Sequence, residues 1–527
     1  MSSYNSIPYE SLPVSYTYLP HLAALGKLYG LNSVDPEQCR VLEIGCAEGN
    51  NIIPMAWYYP ESQFVGIDLS DGQISTGQRM ITRLSLNNIQ LYTQDVATLD
   101  STAYEKFDYI LLHGVFSWVP RELQNTILET VQALLSENGI AYISYNTYPG
   151  WHTQMVLRDA LLLYCGDPDP LVEIKRIPKA IEYFKRFFAT ADNDFSSYYI
   201  KRLATLEKHP KKYLYHEFLE TNNHPLYFAD FVKLANKNGL QYLTDTLQVF
   251  DNTELLGQQR NAFLSKIDDR IERLQYMDFM INQRFRRSLL CHRHHSIRER
   301  FTPEHMTDIA YRAKLYSKRE PTLNSSRTCQ FYQAKDPHAL IKLSHPVSKA
   351  AVQILSSQYP SSIHYMDLLQ QACQRVADHK GMSFLNHIEP FYQEFYLLVN
   401  NDWISMDNKP KHFSPLNKGK QSTIPKLTFQ YAVHAGFLPT FLQQAIDIDE
   451  IDIHILKQIN HCANENDLLE RTLKSLATIE IEKNPSLLTD SVLGKLVMSN
   501  NMIKKYRLKK RIEILLESLK NNAILEQ

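Results

Sequence analysis

The run Arg40-Val-Leu-Glu-Ile-Gly-Cys-Ala-Glu-Gly49 places a short apolar strand directly before a Gly45-x-x-x-Gly49 turn, and Val65-Gly-Ile-Asp-Leu-Ser70 follows it. Glycines at the carboxyl end of a parallel strand let the backbone approach a ligand. An acid ending the next strand, about 20 positions on, can bind both ribose hydroxyls. Asp68 stands at that place. The pairing restricts the chain to a parallel α/β sheet around a nucleotide-type ligand.

The order of later elements supports the same fold class. Phe64 to Leu69 reads as a second strand, Asp71 to Leu86 as a helix, and Ile89 to Thr93 as a third strand ending in Gln94-Asp95. Phe107 to Leu112 is a fourth strand, Pro120 to Leu135 a helix closed near Gly139, and Ile140 to Tyr145 a fifth strand. Alternation of this kind predicts a doubly wound sheet with ligands at the carboxyl ends of its strands.

The residue types favour S-adenosylmethionine over a nicotinamide dinucleotide. Position 47 is Ala, which breaks the Gly-x-Gly-x-x-Gly fingerprint, and Glu43 would repel a pyrophosphate while suiting a cationic methionine moiety. A carboxylate at Asp95 can accept from an adenine amino group. The chain here resembles class I methyltransferases, in the motifs Glu43-Ile-Gly-Cys-Ala-Glu-Gly49, Gly66-Ile-Asp-Leu-Ser70, Gln94-Asp95 and Phe107-Asp-Tyr-Ile110. The resemblance implies that Gly45, Cys46, Ala47 and Gly49 line the cofactor and that Asp68, beside Leu69, holds the ribose. It places Gln94, Asp95 and Val96 at the adenine, and His113 and Gly114 beneath it. Tyr9 and Tyr18, in an aromatic and proline-rich N-terminal arm, are candidate lid residues.

Composition fits a large enzyme of a reducing compartment. A chain of 527 residues exceeds one core. With 56 basic and 57 acidic residues it encodes no global attraction to nucleic acid or anionic membrane. Seven scattered cysteines, no apolar run near 20 residues and no signal-like start point to the cytoplasm.

The most distinctive run for chemistry is Ser144-Tyr-Asn-Thr-Tyr-Pro-Gly-Trp-His152, leaving the carboxyl end of a central strand. Aromatic faces attract a cation or a lysine stem, and an Asn carbonyl or Tyr hydroxyl can accept a proton from an amine. Tyr145, Asn146 and Tyr148 are the catalytic candidates, with Trp118 closing the same pocket. His216, beside Glu217, is a candidate proton acceptor, although such pairs are also common structural devices. The crowded His292, His294 and His295 do not suit a metal site, and no metal is expected.

Joined together, several runs resemble bacterial methyltransferases that carry a methyltransferase regulatory domain. These are Tyr-x-Ser-x-Pro-Tyr-Glu-Ser from Tyr4, Tyr145-Asn-Thr-Tyr-Pro-Gly-Trp151, His216-Glu-Phe-Leu219, Pro225-Leu-Tyr-Phe228 and Asn282-Gln-Arg-Phe-Arg-Arg-Ser-Leu-Leu-Cys291. That family includes protein-lysine methyltransferases acting on rickettsial outer-membrane proteins. The resemblance implies methylation of a protein substrate and a homodimer built through the added domains. Family membership fixes the cofactor better than the acceptor.

Residues 1–250 are read as the methyltransferase domain with a helical insertion at about 152–225. Residues 251–335 are read as a helical regulatory domain whose arginines, among them Arg284, Arg286 and Arg287, suit a solvated helix more than a basic face for an acidic partner. A winged-helix-like module at 336–420, favouring protein over nucleic acid contact, and a helical domain at 421–527 complete the chain. Thr322 to Lys335 and His412 to Lys426 read as linkers. The favoured function is lysine N-methylation of a protein. The residues leave two further readings: N- or O-methylation of a small molecule, and a cofactor-binding regulator.

Overall fold

Near-continuous apolar segments flanked by polar helix starts fold as the alternation requires. The computed structural model describes residues 6–333, 336, 338–413, 425–459, 461–462, 465–482 and 501–521. The first residues of the Tyr4 run, the end of the 322–335 segment and most of the 412–426 segment lie outside the described residues.

Five parallel strands open the sheet: β1 (Arg40–Ile44), β2 (Gln63–Asp68), β3 (Ile89–Thr93), β4 (Phe107–Leu112) and β5 (Leu135–Tyr148). The two-residue β6 (Leu226–Tyr227), β7 (Leu240–Asp245) and β8 (Phe285–His292) complete it. The strand order is β3-β2-β1-β4-β5-β8-β7, with β6 paired to β5. β8 runs antiparallel to both β5 and β7. Successive side chains leave opposite faces of a strand. Tyr142 and Leu289 therefore enter the core shared with the helix Leu19–Tyr29 and the later modules, whereas Tyr145 and Leu290 enter the core under the helices Arg121–Leu134 and Phe228–Lys237.

The helical reading of 251–335 needs correction at β8. The first part of the arginine-rich run is a strand one place in from the sheet edge, and the sheet draws on residues beyond 250. Arg286 is 1% exposed, stacks 4.0 Å from the Phe228 ring centroid, and is held by Asp278 through Nε at 2.9 Å and Nη2 at 2.7 Å. Its remaining nitrogen pairs with Asp245. Two carboxylates supplied by neighbouring elements are what allow a guanidinium in the core, and charge counting along the sequence does not reveal them.

Between β5 and β6 lie the helices Gly150–Cys165, Pro170–Phe188, Asp194–Leu206 and Lys211–Phe218, around their own apolar cluster. Ile7 of the N-terminal arm is buried in that cluster. Beyond the sheet, the helices Pro346–Gln358, Tyr365–Asp378 and Glu389–Asn400 adjoin a small sheet of Ile363–His364, Ala310–Arg312 and Ser405–Asp407. Its central strand, Ala310–Arg312, comes from upstream of residue 336. The last part combines the helix Lys426–His434, a hairpin of Phe437–Pro439 with Ala445–Asp447, and the helices Glu450–Ile459, Glu465–Glu482 and Asn501–Asn521. Leu508, Ile512, Leu515 and Leu519 of the final helix are buried there. None of the described helices is long and apolar enough to cross a membrane.

Candidate active site

The glycine turn after β1 is held by a hairline of backbone contacts. Gly45 and Cys46 both donate to the Ile67 carbonyl, at 2.8 and 3.1 Å, and Ala47 donates to Asp68 Oδ2 at 2.9 Å. Gly45, Ala47 and Gly49 all have positive φ, at 75°, 50° and 74°. A Cβ on Gly45 would stand 2.3 Å from Val115 Cγ2, which ties this turn to the segment after β4. Cys46 is buried against Gly66 of β2, so its main chain rather than its thiol borders the cleft.

Glu43, at the carboxyl end of β1, is 4% exposed. Its Oε1 accepts from Asn51 Nδ2 at 2.7 Å, while Oε2 is buried with no hydrogen-bond partner. Burial, opposed by the Asn51 bond and reinforced by the Asp68 charge, pushes its carboxyl up to about 8. Asp68 Oδ1 accepts from Ser70 N at 2.9 Å, and Leu69 beside it is 65% exposed. Asp95 Oδ1 accepts from Ala97 N at 2.8 Å at the end of β3, next to the buried Val96 and to Gln94, whose amide donates to the Asp95 carbonyl. After β4, His113 Nδ1 lies 2.7 Å from the Tyr142 hydroxyl, and burial, then Arg287, lowers the imidazole to about 4. Gly114, at φ 69°, donates to Ser144 Oγ and has open space where a side chain would stand.

These residues fit S-adenosylmethionine. An unpartnered buried carboxylate oxygen at the glycine turn matches the cationic methionine part, and acids end both β2 and β3. Bound there, the cofactor supplies an electrophilic sulfonium methyl.

The arm crosses this cleft. Asn50 Nδ2 donates to the Ser11 carbonyl at 3.0 Å, Val14 N to Asn51 Oδ1 at 2.8 Å, and Gln73 Nε2 to the Tyr9 carbonyl at 3.2 Å. Tyr9 meets His216 edge-on at 5.3 Å. Tyr18 does not join it. It is 2% exposed, lies under Arg312 at 4.8 Å and meets Phe441 of the C-terminal hairpin, so the lid expectation is corrected for that residue.

The substrate-side candidates separate. Trp118 meets Trp151 edge-on at 6.3 Å, and Tyr148 stacks on His152 at 4.0 Å, whose Nε2 is 3.0 Å from the Tyr227 hydroxyl. Asn146 is 4% exposed; its Nδ2 donates to Asn223 Oδ1 at 3.1 Å, and its backbone N–H donates to Ser117 Oγ. Tyr145 is corrected: it points into the opposite core, stacked on Phe231 at 4.0 Å with its hydroxyl on Ser288, because strand alternation turns it away from Asn146. His216 Nδ1 is bound to Glu220 Oε1 at 2.7 Å, both buried.

One residue was missed by motif reading. Asn51 joins the arm to Glu43, a role hinted at only by the polar Asn50-Asn51 pair opening an apolar helix. Glu217 has its carboxyl pushed up to about 7 by burial, against Arg202, Arg284 and Arg158. Away from the cleft, Glu137, His294 and His295 bring possible ligand atoms within 4.8 Å of one another, but the two imidazoles bond to Glu137 itself.

The family model described as a methyltransferase domain matches residues 35–167, and that described as a predicted methyltransferase regulatory domain matches residues 210–292. The second span contains β7 and β8. An uncharacterized protein of Rickettsia prowazekii, RP789, is 28% identical over 99% of this chain and 93% of its own length. A second one, RP028, is 35% identical over 46% of this chain and 96% of its own length. PKMT2 from Rickettsia typhi, solved in complex with AdoHcy, has a TM-score of 0.82 at 27% identity, covering 98% of this chain and 100% of that one. The chain belongs to the class I S-adenosylmethionine-dependent methyltransferases that carry a methyltransferase regulatory domain.

Proposed function

We propose that the enzyme methylates lysine side chains of a protein substrate. The observation that carries the reading is the likeness to PKMT2 over nearly the whole chain, accessory modules included. The sequence resemblance to protein-lysine methyltransferases points the same way. In this reading Glu43, Asp68 and Asp95 hold the methionine, ribose and adenine parts, with Gly45, Ala47, Gly49, His113 and Gly114 lining the cleft and Tyr9 closing it.

The lysine enters past Trp118 and Tyr148, whose aromatic faces suit its aliphatic stem. The reacting amine must be neutral, and an aromatic, half-dry mouth lowers its pKa by desolvation. Asn146 Oδ1, which makes no hydrogen bond among the described residues, accepts from the amine and orients its lone pair. S-adenosylmethionine held by Glu43, Asp68 and Asp95 would supply its methyl group to that nitrogen and leave as S-adenosylhomocysteine. Positioning and exclusion of water supply the acceleration. A cytoplasmic homodimer is part of the same proposal, as is a division at about residue 292 between the catalytic sheet and the later modules.

The test is incubation of the purified chain with methyl-labelled S-adenosylmethionine and a lysate of the source cell, beside Asp68→Ala. Label recovered as methyllysine in protein supports the reading. Label confined to small molecules overturns it in favour of a metabolite acceptor.

A further inference from the structure

Asn51 is touched from a place far along the chain. The loop between Phe437–Pro439 and Ala445–Asp447 turns at Gln443, which has φ 53° and is 3% exposed. Its Nε2 donates to the Asn51 carbonyl at 3.2 Å, a buried bond. The loop is internally fixed, since Thr440 N donates to the Gln444 carbonyl and Gln443 N to the Thr440 carbonyl. Phe441 at its tip packs among Tyr18, Tyr58 and Tyr59, with centroids 5.7, 5.2 and 5.7 Å away.

We propose that Gln443 is a positioning residue of the cofactor site: it holds the main chain at Asn51, and the Asn51 amide in turn orients the Glu43 carboxylate. The chain of contacts is short. Asn51 N–H groups reach Glu43 Oε1 at 2.7 Å, its Oδ1 takes the arm at Val14, and its carbonyl takes Gln443. A carbonyl held from outside fixes where the side chain begins, and a buried carboxylate is sensitive to small changes in its one donor. The C-terminal hairpin thereby links the accessory modules to the affinity of the cleft for cofactor. The proposal rests on the placement of S-adenosylmethionine over Glu43 given above.

The experiment is calorimetric titration of the full chain with S-adenosylmethionine, using Gln443→Ala, Asn51→Ala, the double variant, Phe441→Leu and Asp68→Ala. Gln443→Ala loses one buried hydrogen bond, so cofactor binding should weaken about 5- to 10-fold. The double variant should bind no more weakly than Asn51→Ala, because both act on one contact chain. Proton release on binding should change in Gln443→Ala, whereas Phe441→Leu should lower the melting temperature and leave proton release as in the wild type. If Gln443→Ala does not fold, Gln443→Met keeps the side-chain length and removes the donor. Affinity within about twofold of wild type in a folded Gln443 variant, or additive effects in the double variant, overturns the proposal. Undiminished binding in Asp68→Ala would instead overturn the cofactor placement.

Discussion

With S-adenosylmethionine placed over Glu43 as proposed, cofactor binding should release a proton. Burial pushes the Glu43 carboxyl up to about 8, so about nine in ten molecules carry the proton at pH 7. A cation arriving within a few ångströms lowers a carboxyl by about one to three units, so binding should expel roughly 0.4 to 0.9 protons at pH 7. The affinity should then climb by up to about tenfold per pH unit between pH 6 and 8 and level off above. Titration calorimetry at pH 7 in phosphate, imidazole and Tris reads the proton count from the slope of observed enthalpy against buffer ionisation enthalpy. Glu43→Gln should abolish most of that slope and weaken binding. The sign extends to stability. A carboxyl raised in the folded state favours folding below its unfolded value near 4.5, and the contribution is lost as pH rises through about 8. The free enzyme should lose stability across that window, and Glu43→Gln should flatten the loss. Equal enthalpies in all three buffers, or full proton release from Glu43→Gln, would refute this reasoning.

Asp68→Ala should weaken cofactor binding by about 10- to 100-fold in the same titration, the cost of one or two charge-assisted hydrogen bonds to the ribose. Arg286→Met leaves Asp245 and Asp278 buried together without their partner, and urea unfolding should show a loss of about 3–5 kcal/mol. Tyr145→Phe removes a hydroxyl bound to Ser288 in the core, and methyl transfer should stay within about twofold of wild type once an acceptor is in hand. Trp118→Ala, at the mouth, should raise KM for the acceptor and leave cofactor affinity unchanged.

The sheet was legible where local signals agreed. Glu43, Gly45, Gly49, Asp68 and Asp95 lie at or just past the carboxyl ends of β1, β2 and β3, whose apolar runs are written locally. Tyr145 shows the limit of reading a motif as a block. It sits beside Asn146 in sequence and on the other face in space, since a strand alternates sides with every residue. Arg286 shows a second limit, because Asp245 and Asp278 neutralise it from neighbouring elements. Tyr18 and Asn51 show the third: their surroundings include Arg312, Phe441 and Gln443, residues separated from them by hundreds of positions. Contacts of that range leave no periodicity to read.

The position of β8 also sets a timetable for synthesis. Because Phe285–His292 slots between β5 and β7, the sheet cannot close in its final order until residue 292 has left the ribosome. Until then β5 waits with one long edge unpaired beyond its short contact with β6, and an exposed apolar edge is a template for association with other chains. The nascent enzyme therefore has a vulnerable interval from residue 148 to residue 292, more than a quarter of its length, during which chaperone cover of that edge matters most.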